Sequence, residues 1–441
     1  MRRGLSSPSS AALDTPRTPA KPVAHRRNPP FAARMSHIEP FHVMRVMTRA
    51  DALEAQGHSI TYMVIGEPDF SSAEPIVQAG IAALLAGKTR YAPDLGLPEL
   101  RAALARSYAP EVAVDPAQLV VTPGSSGALQ LIFASILSPG DEVLLTDPGY
   151  PCNRHFVRLF EGVPVGIQVD ASTSYQLTAD LIRRHWTPRT VAVLVGSPSN
   201  PTGSVIPDGE MERIARTVDE LGGILIVDEI YHGLVYNTTL SSAVGAPGRV
   251  FVVNSFSKYY GMTGWRVGWL VGPREYIAPI EKLVQNIFIA ASTPAQYAAL
   301  EALKPTARDE LERRRQLFRQ RRDYLLPALR DLGFCIPVEP QGAFYVYADC
   351  SRFTSDSQAF ALALLEEAGV AIAPGLDFGC YRCKRHVRIS YANSLDSLQE
   401  GVRRIGAFLA GSRHRQTREE DTMFAHPVVP PTRTAATPAW Y

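Results

Sequence analysis

A lysine occupies the most chemically informative stretch of the 441-residue sequence. Lys258 follows an apolar run that ends near residue 253, where a buried ammonium group costs free energy unless it has a partner or a chemical task. A desolvated lysine loses part of its preference for the charged form and becomes a nucleophilic amine, as Schiff-base formation requires. Around it, Ser255, Ser257 and Arg266 suit a phosphate ester, because arginine pairs with phosphate through two parallel hydrogen bonds. This combination predicts covalent chemistry beside a phosphate-binding site.

A carboxylate, Asp228, closes a second apolar run. Alone it could be a helix cap or a hydrogen-bond acceptor in the core. Beside a Schiff-base lysine it has a sharper use. A carboxylate paired with the pyridine nitrogen of a cofactor keeps that nitrogen protonated, and the ring becomes an electron sink. Tyr231 and Asn200 could donate to the phenolic oxygen of such a ring, although the segment around Asn200 also fits an ordinary Asn-Pro turn.

Small residues and an aromatic ring complete the candidate group. Ser125 and Ser126 lie in a glycine-flanked link between a predicted strand and a predicted helix, where free backbone N–H groups and the helix dipole attract an anion. Tyr150 could cover a planar ring by stacking. Small residues are common at such junctions, so the phosphate-binding interpretation depends on the rest of the group.

The elements that must position these residues follow a repeating pattern. Short apolar runs alternate with longer helical patterns from about residue 119 to 270, which is typical of βαβ units around a mainly parallel sheet. Strands this uniformly apolar should be buried on both faces. The predicted strands are residues 119–122, 143–146, 191–195, 224–227, 250–253 and 267–271, and the predicted helices include 128–137 and 209–221. Because the candidate residues follow strand ends, they should meet at the edge of the sheet where such folds bind ligands.

The pattern predicts an α/β fold with a large domain and a smaller α+β domain, since the chain exceeds the roughly 250–300 residues at which one core stops growing. Within the smaller domain we expect strands at 343–347 and 387–390, preceded by a linking helix at about 306–329. The predicted limits are 1–35 for a disordered tail, 36–70 for an N-terminal segment joining the small domain, 71–305 for the large cofactor-binding domain, 306–411 for the linking helix and small domain, and 412–441 for a second disordered tail.

Composition excludes several classes of protein. Hydrophobic residues make up 46% and charged residues 20%, as in a globular protein, and no 18-residue apolar run could span a membrane. Residues 1–35 carry seven Arg and Lys against Asp14, so this tail accounts for the net charge of +2 and the remainder is slightly acidic. We therefore expect no nucleic-acid partner. The tail fits three explanations: an upstream start with Met35 as the true start, a disordered extension, or a transit peptide.

Five cysteines, an odd number without an export signal, predict reduced thiols and a cytoplasmic location. Cys380 and Cys383 form one CxxC pair. A structural zinc site usually needs four ligands, and no second Cys or His pair lies at a suitable spacing. We therefore predict no metal and interpret the pair as two incidental thiols on a turn.

Over residues 38 to 409, approximately, the sequence resembles the class I and II aminotransferases, which are fold-type I enzymes dependent on pyridoxal 5'-phosphate. Six motifs in the same order carry the resemblance. They are Gly66-Glu67-Pro68-Asp69-Phe70, Tyr91-Ala92-Pro93 with Gly96-Leu97-Pro98-Glu99-Leu100-Arg101, Asn200-Pro201-Thr202-Gly203, Asp228-Glu229-x-Tyr231, Ser255-x-Ser257-Lys258 with Gly264-Trp265-Arg266-x-Gly268, and Val387-Arg388-Ile389-Ser390. One departure is Ser126-Gly127, where relatives often carry a bulkier polar pair, so side-chain contacts there are open.

The resemblance implies a role for each candidate around the cofactor. Lys258 would form the aldimine and later move the Cα proton, while Asp228 would hold the pyridinium. Tyr231 and Asn200 would bond the ring oxygen, and Tyr150 would stack on the ring. The implied phosphate ligands are Ser125, Ser126, Ser255, Ser257 and Arg266.

The resemblance also implies a substrate clamp and a partner. Arg388, with Asn200 and the backbone at Gly66, would bind the substrate α-carboxylate. Tyr91 would reach the phosphate of the other subunit, which implies a homodimer with shared active sites. The implied reaction moves an amino group from an L-amino acid to a 2-oxo acid with ping-pong kinetics, because the intermediate is covalent.

Two other functions remain open from the sequence. One is a different pyridoxal-phosphate reaction, such as carbon–sulfur lyase or decarboxylase activity, because a fold does not fix the reaction. The other is a non-catalytic sensor on the same fold, although 35 N-terminal residues cannot hold a helix-turn-helix domain. The amino donor stays open, since side-chain specificity would depend on residues 38–47, residues 286–293 and the partner subunit.

Overall fold

The structure, a computed structural model, describes residues 31–109 and 111–424. A seven-stranded sheet, called the large sheet here, has the strand order β2-β8-β7-β6-β5-β3-β4. Its strands are β2 (Leu119–Thr122), β3 (Glu142–Asp147), β4 (Val163–Gln168), β5 (Thr190–Gly196), β6 (Ile224–Asp228), β7 (Val250–Ser255) and β8 (Gly268–Val271). Strand β8 is antiparallel to both its neighbours, and the other pairs are parallel. The predicted mainly parallel α/β sheet is confirmed.

Both faces of the large sheet are covered, as the uniformly apolar strands require. In β6, Leu225 and Val227 belong to one buried cluster, whereas Ile224 and Ile226 belong to another on the opposite face. Alternate residues of a strand point to opposite faces, so both must be packed. Helices provide the cover on each side. They are α2 (Glu74–Leu85), α3 (Pro98–Ser107), α4 (Gly124–Ile136), α5 (Pro151–Leu159), α6 (Ala179–His185), α7 (Asp208–Glu220), α8 (Arg274–Ile287) and α9 (Thr293–Ala302). Helix α1 (His42–Glu54) packs instead against the smaller, C-terminal part of the chain.

A smaller set of strands and helices follows the long helix α10 (Pro305–Leu332). An antiparallel sheet of order β11-β12-β9, called the small sheet, packs with two further helices around its own core. The N-terminal strand β1 pairs in parallel with β10, which ties the start of the chain to this part. The elements are β1 (Thr61–Tyr62), β9 (Tyr345–Asp349), β10 (Val370–Ala371), β11 (Ala373–Pro374), β12 (His386–Ser390), α11 (Ser357–Ala368) and α12 (Leu395–Phe424).

Three elements differ from their predicted limits for identifiable reasons. Strand β4 was not predicted, because Pro164 and Gly166 weaken a strand pattern, and an edge position tolerates both. Helix α4 begins at Gly124, four residues before the predicted start. The prediction began late because Gly124, Ser125, Ser126 and Gly127 are poor helix formers. Strand β9 begins two residues late, because Ala343 has a left-handed backbone with φ of 59°.

The chain ends differ in part from the predicted tails. Residues 1–30 and 425–441 lie outside the described residues. The 3-10 helix Ala33–His37 begins inside the predicted first tail and ends two residues beyond it, and α12 extends past residue 411 into the predicted second one. No proline or glycine interrupts residues 412–424, so the helical hydrogen-bond pattern can continue there. The domain limits themselves stay a prediction.

None of the helices within the described part of the chain combines the length and the apolar character needed to cross a membrane. In the same residues, no cluster of three or more His, Cys, Asp or Glu side chains is arranged to hold a metal ion.

Candidate active site

Lys258 lies in the loop after β7, in the wall of a cavity of about 840 Å³ between the large and small sheets. Its Nζ donates a hydrogen bond to the carbonyl oxygen of Gly66 at 2.6 Å. Burial lowers the pKa of Lys258 to about 8, and the nearby positive charges of Arg388 and Arg266 also lower it. A large fraction of this amine is therefore neutral near pH 8, as a nucleophile or a proton acceptor must be.

Asp228 ends β6 and faces the same cavity. Its side chain is nearly buried, and Oδ1 accepts a hydrogen bond from the backbone N–H of Ile230 at 3.0 Å. Burial raises the pKa of this carboxyl to about 6, and the negative charge of Glu229 acts in the same direction. Within the described residues Asp228 has no ion-pair partner, so a cationic group in the cavity would find its negative charge available.

Arg388 enters the cavity from β12 of the small sheet and is only 6% exposed. Its Nη1 donates to Asn200 Oδ1 at 3.1 Å and its Nη2 to the carbonyl oxygen of Val64 at 2.7 Å. Nε is buried without a hydrogen-bond partner in the described part of the chain. The guanidinium also lies 4.3 Å from the ring centre of Tyr345 and 4.9 Å from that of Phe378. A buried cation held by neutral groups can receive an anionic ligand.

Two buried tyrosines join the two sheets beside the lysine. The hydroxyls of Tyr231 and Tyr345 lie 2.9 Å apart, and burial raises the pKa of both. Both phenols therefore stay neutral and can donate hydrogen bonds. A Cβ atom at Gly66 would lie 2.9 Å from the Tyr345 hydroxyl oxygen, so the glycine leaves room for this contact.

The start of helix α4 and Arg266 form another part of the cavity wall. No side chain caps this helix, so its first N–H groups are free to bind an anion. Gly124 has a φ of 71°, and a Cβ atom there would lie 2.5 Å from Arg266 Nη2. Glycine thus allows the guanidinium to lie against the helix start, where Ser125 and Ser126 also line the cavity.

The structure brings most of the predicted site residues together. The cavity is lined by Gly66, Ser125, Ser126, Tyr150, Asn200, Asp228, Tyr231, Ser257, Lys258, Arg266 and Arg388. Ser255 is an exception, because its buried hydroxyl contacts Ser257 Oγ at 2.9 Å behind the cavity wall. Tyr91 is a second exception, since it is 79% exposed and lies outside the cavity.

Sequence reasoning missed Tyr345, Phe378 and Arg154, all of which line the cavity. Tyr345 and Phe378 lie in segments without a recognised motif. For Tyr345 a signal was present, because it lies in a predicted strand of the small sheet, and the same sheet contains Arg388. Arg154 stands four residues after Tyr150, one helical turn further along α5, and this spacing was a usable signal.

The comparison with known families decides the identity. The family model for aminotransferase class I and II matches residues 60–405. The chain belongs to this family. It is 40% identical to the valine–pyruvate aminotransferase of Mycobacterium tuberculosis over 376 residues, which cover 84% of this chain and 97% of that protein. It is 39% identical to the aspartate/prephenate aminotransferase of Thermus thermophilus over 384 residues, which cover 86% and 98% of the two chains.

Solved structures agree with this assignment. A crystal structure of an aminotransferase from Mycobacterium tuberculosis matches with a TM-score of 0.84 and 39% identity, covering 87% of this chain and all of the other. The chain is therefore a pyridoxal-phosphate-dependent aminotransferase, which transfers an amino group from an amino acid to a 2-oxo acid. The lyase, decarboxylase and sensor functions left open by the sequence are set aside.

The residues present fit this cofactor. One cavity is lined by a carboxylate without an ion-pair partner among the described residues, by an amine with a lowered pKa, and by an uncapped helix start with a guanidinium beside it. These three groups complement a pyridine nitrogen, an aldehyde and a phosphate.

The lowered pKa of Lys258 gives a prediction for the cofactor-free protein. We expect trinitrobenzenesulfonate to modify Lys258 with a half-maximal rate near pH 8. A free lysine derivative with a blocked α-amine should instead follow the ordinary midpoint of a lysine side chain, about 10.4. Peptide mapping after short exposures between pH 6 and 11 measures the rate at Lys258, and the free derivative is treated under the same conditions. A Lys258 midpoint equal to that of the free derivative would contradict the predicted effect of burial.

Proposed function

We propose that Lys258 holds the cofactor and carries the proton that moves at the substrate Cα. When bound, the cofactor supplies an aldehyde for the substrate amine and a ring that withdraws electrons. The observation that carries this proposal is the position of Lys258 in the wall of one cavity with Asp228 and Arg388. With its pKa lowered to about 8, the amine can accept a proton and return it within the working pH range.

We propose that Asp228 keeps the ring nitrogen protonated and that the neutral hydroxyl of Tyr231 and the amide of Asn200 bond the ring oxygen. Burial makes the Asp228 charge unfavourable in the free protein, so a cationic partner would be held tightly. Tyr345 is a positioning residue, since its hydroxyl contacts that of Tyr231. Tyr150 would cover the ring face from the start of α5.

We propose that Arg388 receives the substrate α-carboxylate, helped by Asn200 and the backbone at Gly66. The guanidinium is held by Asn200 and the carbonyl of Val64, and its Nε remains free to donate. A clamped carboxylate fixes the rotation of the substrate, so that the Cα–H bond can point at Lys258. Fixing this geometry before the reaction lowers the entropic part of the barrier.

We propose that Ser125, Ser126, Ser257 and Arg266 bind the phosphate together with the first N–H groups of α4. Ser255 has a supporting role, because its Oγ also accepts the backbone N–H of Ser257 at 3.1 Å. The sequence predicts the same phosphate contact for both serines, but in the structure only Ser257 lines the cavity.

We propose that the enzyme is a homodimer in which Tyr91 reaches the cofactor phosphate of the partner subunit. The proposal is supported by apolar side chains exposed near one end of α2: Ile81, Leu84 and Leu85, the last being 85% exposed. Exposed apolar side chains clustered in this way are typical of interaction surfaces. Tyr91 follows this helix closely in the chain, and its exposed side chain does not line its own cavity.

Leu85→Asp is expected to raise the dimer dissociation constant by at least about 10²-fold, because burying an unpaired carboxylate at an interface costs about 3–5 kcal/mol. Sedimentation velocity would report the monomer, and activity should fall with protein concentration. Leu395→Asp, at another exposed leucine at the start of α12, is the matched control and should stay dimeric. A Leu85→Asp protein that remains a fully active dimer would rule out this surface.

We also propose that the protein works in the cytoplasm. All five cysteines are free thiols. The cytosol keeps thiols reduced, whereas oxidising compartments favour disulfides.

We propose that one substrate of the pair is dicarboxylic and that Arg154 binds its second carboxylate. Arg154 lines the cavity, and its Nη2 donates only to the carbonyl oxygen of Asp377, at 3.0 Å. Within the described residues we find no carboxylate partner for this guanidinium. A cation beside the substrate cavity that lacks an anion is suited to bind one from the substrate.

Arg154→Met is expected to raise the KM for 2-oxoglutarate by about 10- to 100-fold, because a hydrogen bond to a charged group contributes about 1.5–3 kcal/mol. The KM for pyruvate, which has no second carboxylate, should change less than about twofold. Arg184→Met removes an exposed arginine of α6 and serves as the control. An equal rise in KM for both 2-oxo acids would mean that Arg154 supports the shape of the cavity and does not bind the second carboxylate.

A further inference from the structure

The loop from Gly375 to Arg385 forms one wall of the active-site cavity and carries the CxxC pair. Cys380 is exposed, Cys383 is buried, and both line the cavity. The sequence interpretation treated them as incidental thiols on a turn. Because both thiols line the cavity, a chemical change at them would alter the wall of the site.

A two-residue turn separates the two cysteines. Tyr381 and Arg382 form a turn between them, and Arg382 adopts a left-handed backbone with φ of 50°. The first and last Cα atoms of such a four-residue turn lie within about 7 Å. A disulfide spans Cα atoms about 4.4–6.8 Å apart, so a small movement is enough to close it. Burial raises the pKa of the Cys383 thiol, and the neighbouring Cys380 raises it further.

One end of this loop is fixed to the segment that carries Tyr150. The Asp147 carboxylate accepts the backbone N–H groups of Cys380 at 3.1 Å and of Tyr381 at 3.2 Å. The N–H of Gly149 in turn donates to the carbonyl of Phe378 at 2.7 Å. The turn that holds the cysteines therefore helps to position the proposed ring-stacking tyrosine.

The other end of the loop reaches the substrate-binding side of the cavity. The Asp377 carboxylate accepts the N–H groups of His42 at 2.5 Å and of Val43 at 2.7 Å, at the start of α1. The ring of Phe378 lies 4.9 Å from the guanidinium of Arg388. A movement of the loop would thus change its contacts with Arg388, the proposed carboxylate-binding residue, and with the start of α1.

We propose that Cys380 and Cys383 are a reversible thiol–disulfide modification site and that closing the disulfide lowers transamination. This inference rests on the proposed roles of Tyr150 and Arg388. Closing the bond turns both side chains toward each other and moves the turn, which weakens the hydrogen bonds to Asp147. The exposed thiol is the one that an oxidant or a reductant in solution reaches first.

Hydrogen peroxide is sufficient as the oxidant. The Cys380 thiol loses its proton, the thiolate attacks one peroxide oxygen and the O–O bond breaks. The leaving hydroxide takes up that proton, so a sulfenic acid and water are formed. The Cys383 sulfur then attacks the sulfenic sulfur, the S–O bond breaks, and a second water leaves. The two thiols lose two electrons and two protons in total, and peroxide is reduced to two waters. A dithiol reductant reverses the change by thiol–disulfide exchange.

The test uses the reduced, cofactor-loaded full-length protein, treated with hydrogen peroxide and then with an alkylating agent. Peptide mapping should find the segment containing both cysteines two hydrogens lighter and unalkylated. The ratio of oxidised to reduced activity should fall at least about tenfold, because ångström-scale displacement of positioning groups lowers rates by up to about 10²-fold. Dithiothreitol should restore it.

Variants assign the effect to this pair. In Cys380→Ser and in Cys383→Ser, each oxidised sample should retain the activity of its own reduced sample. Cys383 is buried, so if Cys383→Ser does not fold, the variant at the exposed Cys380 still tests the inference. Cys335→Ser removes an exposed thiol outside the cavity and should respond to peroxide like the parent protein. Cys152→Ser, two residues after Tyr150 in the sequence, should also respond to peroxide like the parent protein.

The outcomes separate this inference from the proposed function. A reduced protein that transaminates but forms no Cys380–Cys383 disulfide, or forms it without losing activity, overturns the inference alone. Equal peroxide sensitivity in Cys380→Ser also overturns it. A reduced protein without transaminase activity overturns the proposed site roles. It also overturns the inference that rests on them, even if mass spectrometry finds the disulfide.

Discussion

Lys258→Ala is expected to lower transamination by about 10³- to 10⁴-fold, because the variant loses both the anchoring amine and the proton carrier. The cavity should remain, since the substitution removes atoms at the wall without adding a charge. A small amine such as methylamine should restore part of the rate, and the restored rate should increase with pH as more of the added amine becomes neutral.

The measurement is the single-turnover rate of Lys258→Ala with a fixed amino donor, at increasing methylamine concentration and pH. Lys282→Ala, at an exposed lysine of α8, is the control and should keep parental kinetics. If Lys258→Ala keeps more than about a tenth of the parental rate without added amine, Lys258 is not the proton carrier.

Asp228→Asn is expected to lower kcat by about 10²- to 10³-fold, the usual effect of removing one preorganised electrostatic group. The amide is nearly isosteric and its oxygen can still accept the N–H of Ile230, so the fold should hold. It lacks the negative charge that keeps a ring nitrogen protonated. The loss should therefore appear in the proton-transfer step, with cofactor affinity also reduced.

A deuterated substrate distinguishes this explanation from a general loss of structure. With deuterium at Cα, Asp228→Asn should show a larger isotope effect on kcat than the parent, because its Cα–H cleavage becomes more rate-limiting. Asp309→Asn, at an exposed position in α10, provides the control. A kcat within about threefold of the parent would mean that the Asp228 charge is not used in the reaction.

The large sheet could be predicted because its strands are buried on both faces. Runs such as residues 224–227 are apolar without interruption, and only a covered parallel strand tolerates this. Strand β4 lacked that signal, since an edge strand needs no continuous apolar run and can hold Pro164. The start of β9 was missed because the left-handed conformation of Ala343 is set by tertiary packing, which no local pattern reports.

The candidate site was predictable where motifs follow strand ends, as at Asp228 and Lys258. Its remaining walls depend on contacts between residues far apart in the chain. Arg388 donates to the carbonyl of Val64, 324 positions away. The same holds for Tyr345 and Phe378, which belong to the part of the chain around the small sheet and line the cavity together with residues that follow strands of the large sheet. Whether Ser255 or Ser257 lines the cavity also depends on the turn after β7 and not on composition.

The most direct test of the central claim is to locate the cofactor on the chain. Borohydride reduction of the cofactor-loaded protein locks the cofactor onto the amine that holds it, and digestion with mass spectrometry then identifies the modified lysine. If Lys258 holds the cofactor, we expect the modification on the peptide containing Lys258, at one group per chain, and no modification in Lys258→Ala. A modification on another lysine, with Lys258 unmodified in the active protein, would contradict the assignment of Lys258 as the residue that holds the cofactor.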